Sequence, residues 1–168
     1  MMPISVFLFL FAELVAVSYI DWKYKKISNF WSILNMLLFV VVLQVFPGVY
    51  ALSWRSLIVS MSFLFVGFIL FRLKIMGAGD SKFLFSLYLL IPESLQEDCF
   101  LYLTISTILI GVSLLIYNTY KNADILDQAV KTKNIALIKK VYGSRFSYAP
   151  VVLLSWVILA SFKWNRLY

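Results

Sequence analysis

Six apolar runs constrain this chain more than anything else in it. They lie at roughly 3–20, 30–47, 56–71, 83–92, 99–117 and 148–163. Most approach the ~20 apolar residues that carry a helix across a hydrocarbon core of about 30 Å. Of the 168 residues, 62% are hydrophobic and only 14% charged. Soluble domains are about half apolar and about a quarter charged. A soluble core cannot absorb that much apolar surface. The expected class is an all-α polytopic membrane protein: a bundle of six transmembrane helices forming one domain over residues 1–168.

The basic residues orient the bundle. The connections at 21–29, 72–82 and 118–147 hold 12 of the 15 lysines and arginines: Lys23, Lys25, Lys26, Arg72, Lys74, Lys82, Lys121, Lys131, Lys133, Lys139, Lys140 and Arg145. The remaining three are Arg55, Lys163 and Arg166. Basic loops stay in the cytoplasm, so these connections are expected inside and both termini outside, in a multi-pass protein of the cytoplasmic membrane. The 92–98 connection carries Glu93, Glu97 and Asp98 and no base, as expected of an outer loop. The same asymmetry accounts for the net charge of +7 without nucleic acid. No Lys or Arg precedes the first apolar run, and Asp21-Trp22-Lys23 follows it where a cleavable leader would place small residues. The first run therefore reads as a retained helix.

Within this scaffold the residues 76–82, Met-Gly-Ala-Gly-Asp-Ser-Lys, form a Gly-rich break between two apolar runs. Asp80 falls where a helix begins to meet lipid. A carboxylate there is costly and points to a functional site with a partner. The best partner is Asp21, at the end of the first run. An even number of crossings separates the two, so both fall at cytoplasmic helix ends. From Phe83 to Ile91 the fourth run spans only about 14 Å as a helix. Either that helix starts further back or the bilayer thins, and both put Asp80 in a partly desolvated niche. Gly77 and Gly79 provide for a turn with positive φ or for close helix contact.

Other polar positions read as structural. Glu13 lies about 80° around the first helix from Asp21 and is expected to face the bundle as a protonated or hydrogen-bonded carboxyl. Asn35 and Gln44 suit hydrogen bonds between helices. Ser28 or Asn29 is the expected N-cap of the second helix. In 118–147, Leu126, Val130, Leu137, Ile138 and Val141 recur at near-helical spacing among lysines, with Gly143 as a stop. This describes a basic amphipathic helix on the inner membrane face or, alternatively, an unstructured loop.

The available chemistry is narrow. The chain has no histidine and a single cysteine, Cys99, which excludes an intrachain disulfide, a Cys/His metal site and a histidine base. No metal and no cofactor is expected. Two carboxylates within hydrogen-bonding reach share a proton: the ionised one can activate water, while the protonated one polarises a peptide carbonyl and then protonates the leaving amine. Asp21 and Asp80 are the candidate pair.

Several residues then align with a known family. Gly77-Ala78-Gly79-Asp80 is a Gly-x-Gly-Asp motif, and Lys82 extends it to Gly-x-Gly-Asp-x-Lys. Asp21, followed by basic residues and Ile27-x-Asn29, resembles the first-aspartate motif of the type IV prepilin peptidases. Tyr148-Ala149-Pro150 resembles their aromatic-Ala-Pro element before a late helix. The resemblance implies Asp21 and Asp80 as the catalytic pair, with Gly77, Gly79, Asn29, Lys82 and Pro150 in support. It implies a prepilin or pseudopilin as partner, a lipid-embedded helix whose short basic leader is cut off at the cytoplasmic membrane face. Larger family members carry an extra methyltransferase domain, often with paired cysteines. Here the 21–29 connection is nine residues long and lacks Cys-x-x-Cys, so peptidase activity without N-methylation is expected. The length is similar to the small peptidases of tight-adherence (Flp-type) pili and to archaeal preflagellin peptidases. A proton-coupled transporter or channel using Glu13, Asp21 and Asp80 stays open as an alternative, as does a non-catalytic assembly subunit. The oligomeric state is not fixed by the sequence.

Overall fold

The structure is a computed structural model that describes residues 2–72, 76–132, 134, 137, 141–142 and 147–167. All regular structure among the described residues is helical. Seven helices follow in order among the described residues: α1 Ile4–Tyr24, α2 Asn29–Val45, α3 Trp54–Arg72, α4 Ala78–Leu89, α5 Glu93–Lys121, α6 Ala123–Lys131 and α7 Ala149–Leu167.

Three of them, α1, α3 and α5, are long and apolar enough to cross a membrane. The apolar helix α2 and the Ala149–Lys163 part of α7 are shorter. Helix α4 has 12 residues, about 18 Å. It starts at Ala78, behind the apolar run, so the Gly-rich break forms its first turn. Large apolar side chains such as Leu8, Phe11, Leu37, Val40, Phe65, Ile108 and Leu115 are exposed along four helices. Such a surface suits lipid, and the chain is a membrane protein.

Helix α4 is the centre of the bundle. Asp80, Ser81, Phe83, Leu84, Ser86, Leu87, Tyr88 and Leu89 are all buried, leaving only a narrow stripe of Ala78, Gly79, Lys82 and Phe85 exposed or partly exposed. A helix buried over most of its surface, with Asp80, Ser81 and Ser86 among the buried residues, needs protein around it. Helices α2 and α3 pack on α4, while α1 and α5 pack on α7, and α3 and α5 approach each other between the two groups. Phe63 of α3 meets Tyr88 at a ring separation of 4.1 Å, and Phe7 of α1 stacks on Trp156 of α7 at 5.3 Å. In lipid, helices gain little from burying apolar area and rely on close packing and hydrogen bonds. Gly67 of α3 illustrates the packing, since a Cβ there would overlap the Ser81 side chain.

Because α4 is short, its ends lie among other helices and its terminal carbonyls need partners. Gln96 Nε2 reaches Tyr88 O at 3.1 Å, Ile91 O at 3.2 Å and Ser56 Oγ at 2.9 Å. The Tyr50 hydroxyl donates to Leu90 O at 3.1 Å.

Several expectations change in detail. The 92–98 stretch is not a loop: Pro92 is the N-cap of α5, and Glu93 lies in its first turn, where its charge suits the helix dipole. Helix α1 continues a turn past Asp21, and the connection to α2 shrinks to 25–28. Lys25 ends α1 in the left-handed region (φ 53°, ψ 34°), with its N–H donating to Asp21 O. Ser28 is the N-cap of α2 and accepts from Phe30 N. Gln44 is exposed and bridges no helices. The described helix within 118–147, α6, is not basic: it carries Asp124, Asp127 and Lys131, the last paired with Asp127. Lys74, Lys133, Ile138, Lys139, Lys140, Gly143 and Arg145 lie outside the described residues.

Charges segregate between the two ends of the bundle. One end carries Asp21, Lys25, Asn29, Asp80 and Lys82. At the other, Arg55 pairs with Glu97 at 2.7 Å and Lys163 with Asp98 at 3.3 Å.

Candidate active site

Asp21 and Asp80 are both buried, at 3% and 8% exposure, at the end of the bundle where α1 finishes and α2, α4 and α7 begin. Each carboxylate meets the start of a helix. Asp80 is in the first turn of α4, and its Oδ2 accepts from Gly77 N at 3.0 Å. Asp21 Oδ2 accepts from Ala149 N, the first residue of α7, at 3.1 Å, and the Tyr148 amide also hydrogen-bonds the carboxylate. Unpaired amides and the aligned peptide dipoles make a helix N-terminus favourable to negative charge.

The segment 147–149 borders Asp21. Its amides hold Asp21, while the Tyr148 phenol is close enough to Asp80 to feel its charge. Burial pushes the Tyr148 phenol up from its ordinary value, its hydrogen bond with Thr107 pulls it partly back, and the Asp80 charge pushes it up further. The Tyr148 and Thr107 hydroxyls lie 3.1 Å apart. Ser147 Oγ donates to Asp21 O at 3.2 Å and accepts from Lys25 Nζ at 2.7 Å, which brings the Lys25 charge near Asp21.

Other expected positions surround this core. Gly77 is the N-cap of α4, in extended conformation. Gly79 is helical, and its reason is contact: a Cβ there would lie 2.5 Å from the Ile27 carbonyl oxygen. Neither glycine has the positive φ that a turn would require. Lys82 Nζ donates to Asn29 Oδ1 at 3.3 Å, tying the start of α4 to the start of α2. Pro150 sits in the first turn of α7, where its missing N–H has no helical partner to lose. The structure thus gathers Asp21, Asn29, Gly77, Gly79, Asp80, Lys82 and Pro150 at one end. A cavity of about 10 Å³ among Leu87, Cys99, Val152 and Trp156 lies deeper between α4, α5 and α7 and has no part in this arrangement.

Ser147 and the Ile27 carbonyl were not foreseen. Ser147 meets Asp21 across 126 residues of chain, and a backbone oxygen leaves no mark in side-chain identity. Lys25 was foreseen only as a topology anchor.

Chemically, two buried carboxylates at one end of the bundle, each beside a helix N-terminus, place acid–base groups there. Among the described residues no cluster of metal-ligating side chains occurs.

The chain matches the type IV leader peptidase family over residues 8–117, well over half its length. That span contains both aspartates, Asn29 and the Gly-x-Gly-Asp-x-Lys stretch, and stops short of Tyr148-Ala149-Pro150. No curated protein and no solved structure matches the chain significantly.

Proposed function

The chain belongs to the type IV leader peptidase family, and we propose that it is a membrane aspartyl endopeptidase using Asp21 and Asp80 as its catalytic pair. The observation that carries this reading is the burial of both aspartates at one end of the bundle, with the Ala149 amide on Asp21 and the Gly77 amide on Asp80. One aspartate takes a proton from water. The other donates to the scissile carbonyl and then to the leaving amine. The protons belong to the pair, so neither aspartate is assigned a fixed role. Cleavage requires one shared proton. Activity therefore falls at low pH, where both are protonated, and at high pH, where both are ionised.

The substrate is a type IV prepilin or pseudopilin, cut between its short basic leader and its hydrophobic helix. The bundle is a single domain that crosses the cytoplasmic membrane six times with both termini outside. The paired charges of the acidic end and the lysines of the other support that orientation. In this topology Asp21 and Asp80 meet the leader at the cytoplasmic face. Gly77, Gly79, Asn29 and Lys82 fix the first turn of α4, and Pro150 starts α7. The connection of only four residues between α1 and α2 leaves no room for an inserted methyltransferase domain there, which supports peptidase activity alone.

Co-expression with a prepilin, with leader removal followed by gel shift, tests the pair. Asp21→Asn and Asp80→Asn are each expected to slow cleavage at least about 100-fold. Cleavage at the wild-type rate by either variant would refute the two-aspartate mechanism.

A further inference from the structure

A closed ring of hydrogen bonds joins the end of α1 to the start of α7. Asp21 O accepts from Lys25 N at 2.8 Å and from Ser147 Oγ at 3.2 Å. Ser147 Oγ accepts in turn from Lys25 Nζ at 2.7 Å. Two residues on, Ala149 N donates to Asp21 Oδ2 at 3.1 Å. Lys25 therefore meets Asp21 twice, through its own amide and through Ser147. The 147–149 stretch holds Asp21 at two points, the main-chain carbonyl and the carboxylate. Asp21, Ser147 and Ala149 are all buried.

The direction of each bond follows from the donors present. An ammonium can only donate, so Ser147 accepts from Lys25 and gives its single hydroxyl hydrogen to Asp21 O. A charged donor makes the stronger kind of hydrogen bond. A hydroxyl that accepts such a bond is itself the better donor. The backbone of Lys25 adds a second observation. Among the described residues it is the one non-glycine residue with positive φ, at 53°. That conformation costs an L-residue more than it costs glycine. A lysine kept there points to a role for its side chain. Its neighbour Lys23 behaves differently. The Lys23 ammonium lies over the exposed rings of Tyr19 and Tyr24, at 5.9 and 5.2 Å, as suits a topology anchor.

We propose that Lys25 is a positioning residue: through Ser147 it clamps the start of α7 onto the end of α1, and so holds the Asp21 carboxylate on the Ala149 amide. Helices α1 and α7 pack on each other. Apolar side-by-side packing resists separation more than it resists sliding along the axis. The clamp fixes that sliding at the end where Asp21 sits. Asp80 takes its amide from Gly77 on α4, a different helix. A slip of α7 therefore turns one carboxylate and leaves the other in place. This inference rests on the two-aspartate reading for its consequence in cleavage. The clamp itself does not depend on that reading.

Lys25→Met, Lys25→Gly, Lys25→Arg, Ser147→Ala and the double variant Lys25→Met/Ser147→Ala test it in the full chain, with Lys23→Met as control and Asp21→Asn and Asp80→Asn beside them. Met keeps the length of the side chain and removes the donor. A misplacement near 1 Å can cost about 100-fold in turnover, so kcat should fall roughly 10- to 100-fold at little-changed KM. Gly suits the backbone but lacks the side chain, and should lose turnover as Met does. Wild-type turnover in Lys25→Gly would assign the role to the backbone and overturn the proposal. Arg keeps a cationic donor and should cleave within about threefold of wild type. A folded Lys25→Arg as slow as Lys25→Met would also overturn it. Because Lys25 acts through Ser147, the double variant should be no worse than Ser147→Ala. A double variant slowed by the product of the two single losses would mean that Lys25 acts by its charge alone, against the proposal. Hydrogen exchange in the first turn of α7, followed by mass spectrometry without substrate, should quicken about fivefold in Lys25→Met and Ser147→Ala but not in Lys23→Met. Unchanged exchange overturns the clamp, whatever the protein cleaves. Wild-type turnover in Lys25→Met, with Asp21→Asn and Asp80→Asn dead, overturns the positioning role and leaves the peptidase standing. Wild-type cleavage in Asp21→Asn or Asp80→Asn would instead refute the peptidase reading, while exchange still decides the clamp.

Discussion

Replacing Gly79 by alanine should disable this protein while adding a single methyl group. The built Cβ lies 2.5 Å from Ile27 O, 3.4 Å from Ile27 C and 3.5 Å from Ile27 Cβ. A carbon–oxygen contact is comfortable from about 3.3 Å, so α4 and the 25–28 connection must separate by about 0.8 Å. The connection has little freedom to retreat. Its obstructing atom is backbone, Ile27 is buried, and Lys25 at its start is already in the left-handed region. Overpacking of this kind costs about 1–3 kcal/mol. At roughly 2–4 °C per kcal/mol for a chain of this size, the melting temperature in detergent should fall by about 5 °C. The displaced element is the first turn of α4, which carries Asp80, and a shift near 1 Å can reduce turnover about 100-fold. Gly111→Ala is the matched control. It lies inside α5 with nothing within 4 Å of its added Cβ, and exchange of glycine for alanine in a helix should stabilise by about 0.5–1 kcal/mol. Thermal melting and prepilin cleavage, measured on both variants, decide the matter. A Gly79→Ala protein that melts and cleaves like wild type would refute the close-contact account.

Two further perturbations separate stability from chemistry. Gln96→Leu leaves Tyr88 O and Ile91 O without their shared donor at the far end of α4. It should destabilise by about 1–3 kcal/mol in a thermal melt, while the folded fraction cleaves at the normal rate; loss of turnover in folded protein would contradict this. Tyr148→Phe probes the segment between the aspartates. Burial and the Asp80 charge both push the phenol's pKa up, so it stays protonated through the neutral range, and the alkaline limb of the cleavage profile is expected to come from the aspartates. The variant should lose a few-fold in rate, with the hydroxyl contact to Thr107, and keep both limbs in place. Disappearance of the alkaline limb would show that the tyrosine titrates in the reaction.

How much of this was legible in the sequence depends on the range of each interaction. Helix existence followed from apolar run length, and the shared end of Asp21 and Asp80 from counting crossings. Glu13 faces the bundle, as helical periodicity required. Helix ends were less legible. The acids at 93–98 read as a loop because they are polar, yet Pro92 starts a helix there, and the acids gain from its dipole. Gly77 and Gly79 read equally as turn or contact residues, because glycine identity does not say whether φ or space is the reason. Only the position of the Ile27 carbonyl decides that. Ser147 and Lys25 meet over 122 residues with no motif to announce it.

The shortness of α4 ties these observations together. A helix of about 18 Å cannot span a bilayer alone, and both of its ends must lie within protein or water. Far from the aspartates, Gln96 and Tyr50 satisfy its terminal carbonyls with neutral donors. At the other end its free amides face Asp80, and the start of α7 faces Asp21 in the same way. A helix spanning the full bilayer would put its N-terminus in the headgroup region, where water competes for those amides. Cutting α4 short moves that N-terminus inward, so Asp80 gains its hydrogen bond from a low-dielectric surround. It also brings Ser86 to the depth of Asn35, which donates to it at 3.5 Å. The Gly-rich break, the buried aspartate and the Asn35–Ser86 contact are therefore consequences of one structural choice, the length of α4. Lengthening α4 toward its N-terminus would be expected to lose all three together.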